Sequence, residues 1–235
     1  MIENLRAKPV KEKDLKDNIF ELKNNTPMQI NKENNLHVAH IHEENEDEDC
    51  FIYSQFCDKS FAMICKEFYL NFQKNPKRVD FSYYYFSEDN TAIVYLYDMK
   101  KTLAGNDVIF HLIEQWKSSI CDAKYCVKKT EYHKLEDFNI HIGVITENND
   151  TERRKNELQS ILYPESLPDV LPSFVKSQHM ADTADQIAKA KILSDFDKGK
   201  VTIDGFTYYY DVRTFVAKKH NMYFNNGLLE QQIVV

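Results

Sequence analysis

Asp80, Asp98 and Lys100 are the residues of this 235-residue chain whose types and spacing can do chemistry. Asp80 stands in Pro76-Lys77-Arg78-Val79-Asp80-Phe81, and two apolar runs later the sequence reaches Tyr97-Asp98-Met99-Lys100. Two carboxylates held a few ångströms apart repel each other unless a cation joins them. A hard, oxygen-seeking ion such as Mg²⁺ suits that place, held by Asp80, Asp98 and the backbone carbonyl of Met99. A lysine beside the pair can orient a water and offset negative charge developing on a phosphate oxygen. Phosphodiester hydrolysis is the reaction that such groups fit.

For these side chains to meet, the segments that carry them must be strands. Residues 79–86 are dense in aromatics, Ser87-Glu88-Asp89-Asn90 reads as a turn, and residues 92–100 are apolar almost throughout. A near-continuous apolar run suits a central strand covered on both faces. Side chains alternate along a strand, so Asp98 and Lys100 share a face and Lys101 takes the other. With the turn midway between them, Asp80 and Asp98 should meet at one end of a hairpin.

The neighbouring elements follow from periodicity. Phe61, Ile64, Cys65, Phe68 and Phe72 recur at helical spacing, which predicts a helix over 61–72 capped by Asp58 or Ser60. A second helix is expected over 107–127, with Val108, Leu112, Trp116, Ile120 and Ala123 as its apolar stripe. Residues 140–146 read as another buried strand, so the central order is that of an α/β core. Further along, 181–194 reads as a helix, Asp204-Gly205 marks a tight hairpin over 200–210, and Asn225-Asn226-Gly227 marks a second turn. His37, His40 and His42 do not share one strand face, so they read as polar residues of an edge strand rather than metal ligands. Tyr83, Tyr84 and Tyr85 read as packing residues, and Cys121 and Cys126 as small buried hydrophobes.

The net charge of −7 argues against strong autonomous binding to nucleic acid, because phosphate neutralisation supplies most of that affinity. Six of the acids lie together between Glu43 and Asp49, whereas Lys100, Lys101, Lys117, Lys124, Lys128 and Lys129 crowd the middle. The five cysteines are odd in number and form no Cys-x-x-Cys pair. With no signal peptide and no apolar run long enough to cross a membrane, a cytoplasmic protein with reduced thiols is expected.

Asp80 followed by Asp98-Met99-Lys100 resembles the signature of the PD-(D/E)XK nuclease superfamily. The likeness covers about residues 61–146 and the α-β-β-β-α-β order of that core. It implies a restriction-endonuclease-like central mixed sheet flanked by helices, here with a C-terminal helix and β-hairpin extension. The chain then divides into a polar N-terminal extension with an edge strand (1–60), a nuclease-like core (61–150) and an accessory C-terminal region packed on it (151–235). By the resemblance, Asp80, Asp98, Lys100 and Gln115 would be catalytic, Gln115 lying near the phosphate on the second helix. Glu67, on the first helix, would join Asp80, Asp98 and the Met99 carbonyl around Mg²⁺, with Mn²⁺ as its substitute. The departures are Val79 in place of a common proline, Asp98 where glutamate is more usual, and two strands placed before the second helix where the family has three.

The function implied is that of an Mg²⁺-dependent endodeoxyribonuclease in phage defence or restriction. Its acidity implies that DNA is delivered by a helicase or ATPase partner, or by dimerisation. The reading from another class is a catalytically inactive, nuclease-fold binding or assembly subunit of a defence complex.

Overall fold

The computed structural model describes residues 19–22, 30–31, 36–43, 48–55, 61–66, 77–87, 91–128, 138–162 and 173–230. The hairpin that the turn at 87–90 predicts is formed by β6 (Phe81–Phe86) and β7 (Ala92–Thr102). Phe86 faces Ala92 at the turn and Phe81 faces Tyr97 at the open end. After β7 the chain enters α1 (Asn106–Lys128) and returns in β8 (Asn139–Asn148), parallel to β7. This β7–α1–β8 crossover is the unit expected between parallel neighbours.

The helix expected over 61–72 is not formed at its start. Phe61–Lys66 is β5, antiparallel to β6. Ala62 and Ile64 are buried side by side on one face of it, the two-residue period of a strand. Five apolar residues in a row, Phe61 to Cys65, fit either period, and pairing with the Tyr-rich edge of β6 decides between them. β5 also supplies the third strand before α1.

The seven-stranded mixed sheet is completed by β1 (Ile19–Leu22) beside β5, and by β10 (Phe206–Thr214) and β9 (Lys200–Ile203) beyond β8. β9 and β10 form the hairpin read from Asp204-Gly205, with Asp204 and Gly205 both at positive φ. Two helices precede it, α2 (Thr151–Leu162) and α3 (Ser173–Asp197), the second containing the helix expected at 181–194. A second, five-stranded sheet contains β2 (Ile30–Asn31), β3 (Leu36–Glu43), β4 (Glu48–Gln55), β11 (Lys219–Asn225) and β12 (Leu228–Leu229). Its central pairing, β4 with β11, is parallel and joins the two ends of the described chain. Segments 1–60 and 151–235 therefore add strands to the large sheet of the middle of the chain and together make up the second sheet.

The result is a mixed α/β fold of three layers. One face of the large sheet carries Val94, Leu96, Tyr84, Phe86 and Val144, packed against Leu112, Trp116 and Ile120 of α1 and Leu193 and Phe196 of α3. The other face carries Tyr83, Tyr95, Tyr97 and Met99, packed on Ile41, Ile52, Met222 and Phe224 of the second sheet. Helices thus cover one side of the central sheet and a sheet covers the other. Burying Trp116 alone removes some 200 Å² of largely apolar surface, about 5 kcal/mol by area. Tyr83, Tyr84 and Tyr85 are all buried, whereas Cys121, expected inside, is exposed on α1.

Gly143 of β8 has a definite task. The Tyr97 ring lies across it to reach β10, where the Tyr97 hydroxyl donates to Asp211 Oδ2 at 2.8 Å and Arg213 Nε donates to the same oxygen at 2.6 Å. A Cβ on Gly143 would stand 2.3 Å from that ring.

Candidate active site

The register of β6 against β7 sets the site. The ladder ends at the Phe81–Tyr97 pair, and the next positions along the two segments are Asp80 and Asp98. Asp98 projects from the α1 face, because Leu96 and Val94 precede it at two-residue steps and pack on the helix. Asp80 stands in a bend just before β6, so β7 runs on past the end of its partner. The Asp80 side chain takes the missing strand's place: Met99 N donates to Asp80 Oδ2 at 2.5 Å.

Asp98 is wholly buried and Asp80 nearly so. Lys100 Nζ forms an ion pair with Asp98 Oδ2 and donates to the Met99 carbonyl at 3.4 Å. Gln115 Nε2 donates to Asp98 Oδ1 at 3.0 Å and to the Arg78 carbonyl at 2.6 Å. Two acceptors on one nitrogen fix the orientation of the amide. Burial, followed by the charge of Asp98, pushes the Asp80 carboxyl well above the ordinary carboxylate range. Burial also raises Asp98, against the pull of Lys100. The two carboxylates lie within hydrogen-bonding reach of each other.

Asp80, Asp98, Met99, Lys100 and Gln115 are therefore brought together, and Lys101 lies exposed on the strand's other face. Glu67, expected to join the metal site, lies outside the described residues. The side chains of His37 and His42 also fall outside them; His40 Nε2 sits 2.6 Å from Asp49 Oδ1.

Sequence reasoning missed the residues that hold Asp80 in place. Residues 77–80 are stitched to α1 by a polar stripe. Gln115 binds the Arg78 carbonyl, Ser119 Oγ accepts from Val79 N at 3.1 Å, and Asp122 pairs with Arg78. Arg78 and Asp122 are both buried, and burial raises the Asp122 carboxyl to about 6 despite the guanidinium. Further out, Lys77 pairs with Glu114. The spacing of 115, 119 and 122 was the available signal, since polar residues at that interval share one side of a helix.

The donors suit a hard cation in chemistry. The site offers two carboxylates, the Met99 carbonyl and Gln115 Oε1, a buried acceptor with no hydrogen-bond partner among the described residues. Magnesium is commonly held by one or two carboxylates while keeping several waters. No group of three or more His, Cys, Asp or Glu side chains suited to a metal occurs among the described residues.

Compared with known proteins, the chain gives no significant match to any family model, curated protein or solved structure. No helix among the described residues is long and apolar enough to cross a membrane.

Proposed function

We propose that the chain is a metal-dependent nuclease that hydrolyses DNA phosphodiester bonds, on a core akin to the PD-(D/E)XK, restriction-endonuclease-like fold. The observation that carries this reading is the meeting of Asp80 and Asp98 at the open end of the β6–β7 hairpin, with Lys100 and Gln115 both bonded to Asp98. The order β5–β6–β7–α1–β8 adds support, as it supplies three strands before the helix.

Each residue has a part in that reaction. Asp80 and Asp98, with the Met99 carbonyl, would hold Mg²⁺ or Mn²⁺. The bound ion supplies a lowered water pKa and neutralises charge on the phosphate. Lys100 exchanges its Asp98 contact for the attacking water and holds it in line. Gln115 keeps Asp98 turned toward Asp80. The segment 77–80, pinned on α1, keeps Asp80 from swinging away. The net charge of −7 makes DNA delivery by a helicase or ATPase partner, or by a second copy, part of the proposal, with defence or restriction in the cytoplasm as its setting.

The test is plasmid cleavage with and without Mg²⁺. Asp98→Asn and Lys100→Ala should abolish cleavage while the protein stays folded by circular dichroism. Wild-type rates in either variant would sink the assignment.

One observation favours a second reading, an inactive nuclease-fold assembly subunit. Asp98 has no exposed surface, and Lys100 and Gln115 between them engage both its oxygens. Metal binding separates the two readings, because an ion held only by the folded state raises its stability. A thermal shift with millimolar Mg²⁺ or Mn²⁺ favours the enzyme, and none favours the subunit.

A further inference from the structure

Above the carboxylates, at the outer end of β7, Lys100 has charged neighbours, Lys77, His111 and Glu114, that the scheme above does not use. Lys100 stands two strand residues, about 7 Å, beyond Asp98. α1 runs back alongside β7 at about 1.5 Å per residue, so a 7 Å step corresponds to four or five helix positions. Counting back from Gln115, which touches Asp98, the step lands on residues 110–111. His111 is exposed there, and the charged groups acting on it are Lys77, Lys100 and Glu114. Lys77 reaches the same place from the strap at 77–80 and pairs with Glu114, three residues along from His111.

The arrangement is the electrostatic inverse of the layer beneath. Below, two carboxylates crowd together and invite a cation. Above, Lys77 and His111 flank one acid, Glu114, with Lys100 alongside, and the excess of nitrogen donors invites an anion. Burial and the two lysines hold the pKa of His111 below its ordinary value, as expected of a base kept among cations. Three nitrogen donors of this kind match the oxygens of a phosphate group better than one glutamate does.

We propose that His111, Lys77 and Lys100 form a phosphate seat at the mouth of the carboxylate centre, with Glu114 occupying Lys77 until a phosphate displaces it. The role of the seat in cleavage rests on the nuclease reading; its ability to bind phosphate does not. The phosphate can come from a nucleic-acid backbone or from free phosphate.

Binding to the full-length protein in EDTA tests this, with a short fluorescent DNA duplex and inorganic phosphate as the two probes. Losing one charge-assisted contact should weaken binding roughly 10- to 100-fold in His111→Ala and in Lys77→Ala. Both positions are exposed, so both variants should keep the wild-type melting temperature. Glu114→Gln should tighten binding by releasing Lys77. For the duplex, Lys77→Ala should also lower the slope of log affinity against log salt by about one. Displacement of the duplex by millimolar phosphate assigns the seat to free phosphate as well; resistance to it assigns the seat to the backbone. Wild-type affinity in both alanine variants, or no binding of either probe to the wild type, overturns the seat. A protein that binds through His111 but never cleaves keeps the seat and loses the nuclease. One that cleaves at an unchanged rate and KM as His111→Ala keeps the nuclease and loses the seat.

Discussion

Replacing Gly143 with alanine should destabilise the protein through a single ring. The new methyl carbon would stand 2.3 Å from Tyr97 Cε1 and 2.5 Å from its Cζ, against an ordinary contact of roughly 3.4–4 Å. The ring must therefore retreat by more than an ångström, yet it is buried and stacked on Phe81 with centroids 5.8 Å apart. Overpacking of this kind costs about 1–3 kcal/mol. Moving the ring also removes the hydroxyl's bond to the Asp211 carboxylate, about 1.5–3 kcal/mol for a bond to a charged group. Removing glycine from a strand returns about 0.5–1 kcal/mol. The net expectation is a loss of about 2–5 kcal/mol, read as a lower urea midpoint and a melting temperature reduced by roughly 5–15 °C. A double-mutant cycle isolates the cause. In a Tyr97→Ala background the obstacle is gone, and Gly143→Ala should cost less than about 0.5 kcal/mol. An equal cost in both backgrounds would refute the ring-crossing explanation.

Three further outcomes are expected. Asp80→Asn should raise the melting temperature at neutral pH without metal and lose any shift with Mg²⁺. The folded pKa of Asp80 lies above its ordinary 3.8, so its contribution to stability is present below that value and lost as pH rises through the raised one. A melting temperature below wild type in metal-free buffer would count against it. Arg78→Met or Asp122→Leu alone should cost about 3–5 kcal/mol in urea unfolding, because each strands a buried charge. The double variant should recover most of that loss, and additive losses would contradict the pairing. Burial lowers the pKa of His220 below its ordinary 6.5; its Nδ1 lies 3.0 Å from the Thr214 carbonyl, and its Nε2 has no hydrogen-bond partner among the described residues. The unfolded chain therefore takes up the proton first, and stability falls as pH drops below 6.5 and on through the folded pKa. Urea midpoints between pH 7 and 5 should fall less steeply in His220→Gln; an unchanged slope would exclude this histidine.

The parts of the fold that were legible in the sequence are those set by nearby residues. The turn between β6 and β7 fixes their register by counting, and with it the meeting of Asp80 and Asp98. The apolar stripe of α1 appeared as expected, with Val108 half-buried and Ile109 taking the fully buried place. β5 was not legible because Phe61, Ile64 and Cys65 satisfy a helical period, while the partner that makes them a strand lies beyond Pro76. β4 was missed because both its faces carry apolar residues: Cys50 and Ile52 point inward, and Phe51 and Tyr53 stack on His40 and Tyr223 outside. The Arg78–Asp122 pair joins residues that no local pattern connects. The family resemblance put Gln115 near the phosphate, and its bond to Asp98 was not anticipated.

The parallel pairing of β4 with β11 has a consequence for how the protein is made. His220 to Phe224 lie beside Cys50 to Ser54, and Phe224 stacks on Tyr83 of β6 with ring centroids 3.9 Å apart. Every residue named for the carboxylate centre has left the ribosome long before that strand has been synthesised. Until then the aromatic underside of β6 and β7 has no cover, and contacts that must close so long a loop form late. A nascent chain halted near residue 150 would carry Asp80, Asp98, Lys100 and Gln115 without the layer that holds their sheet. That face of the site's sheet thus waits for β11, which is made long after Gln115.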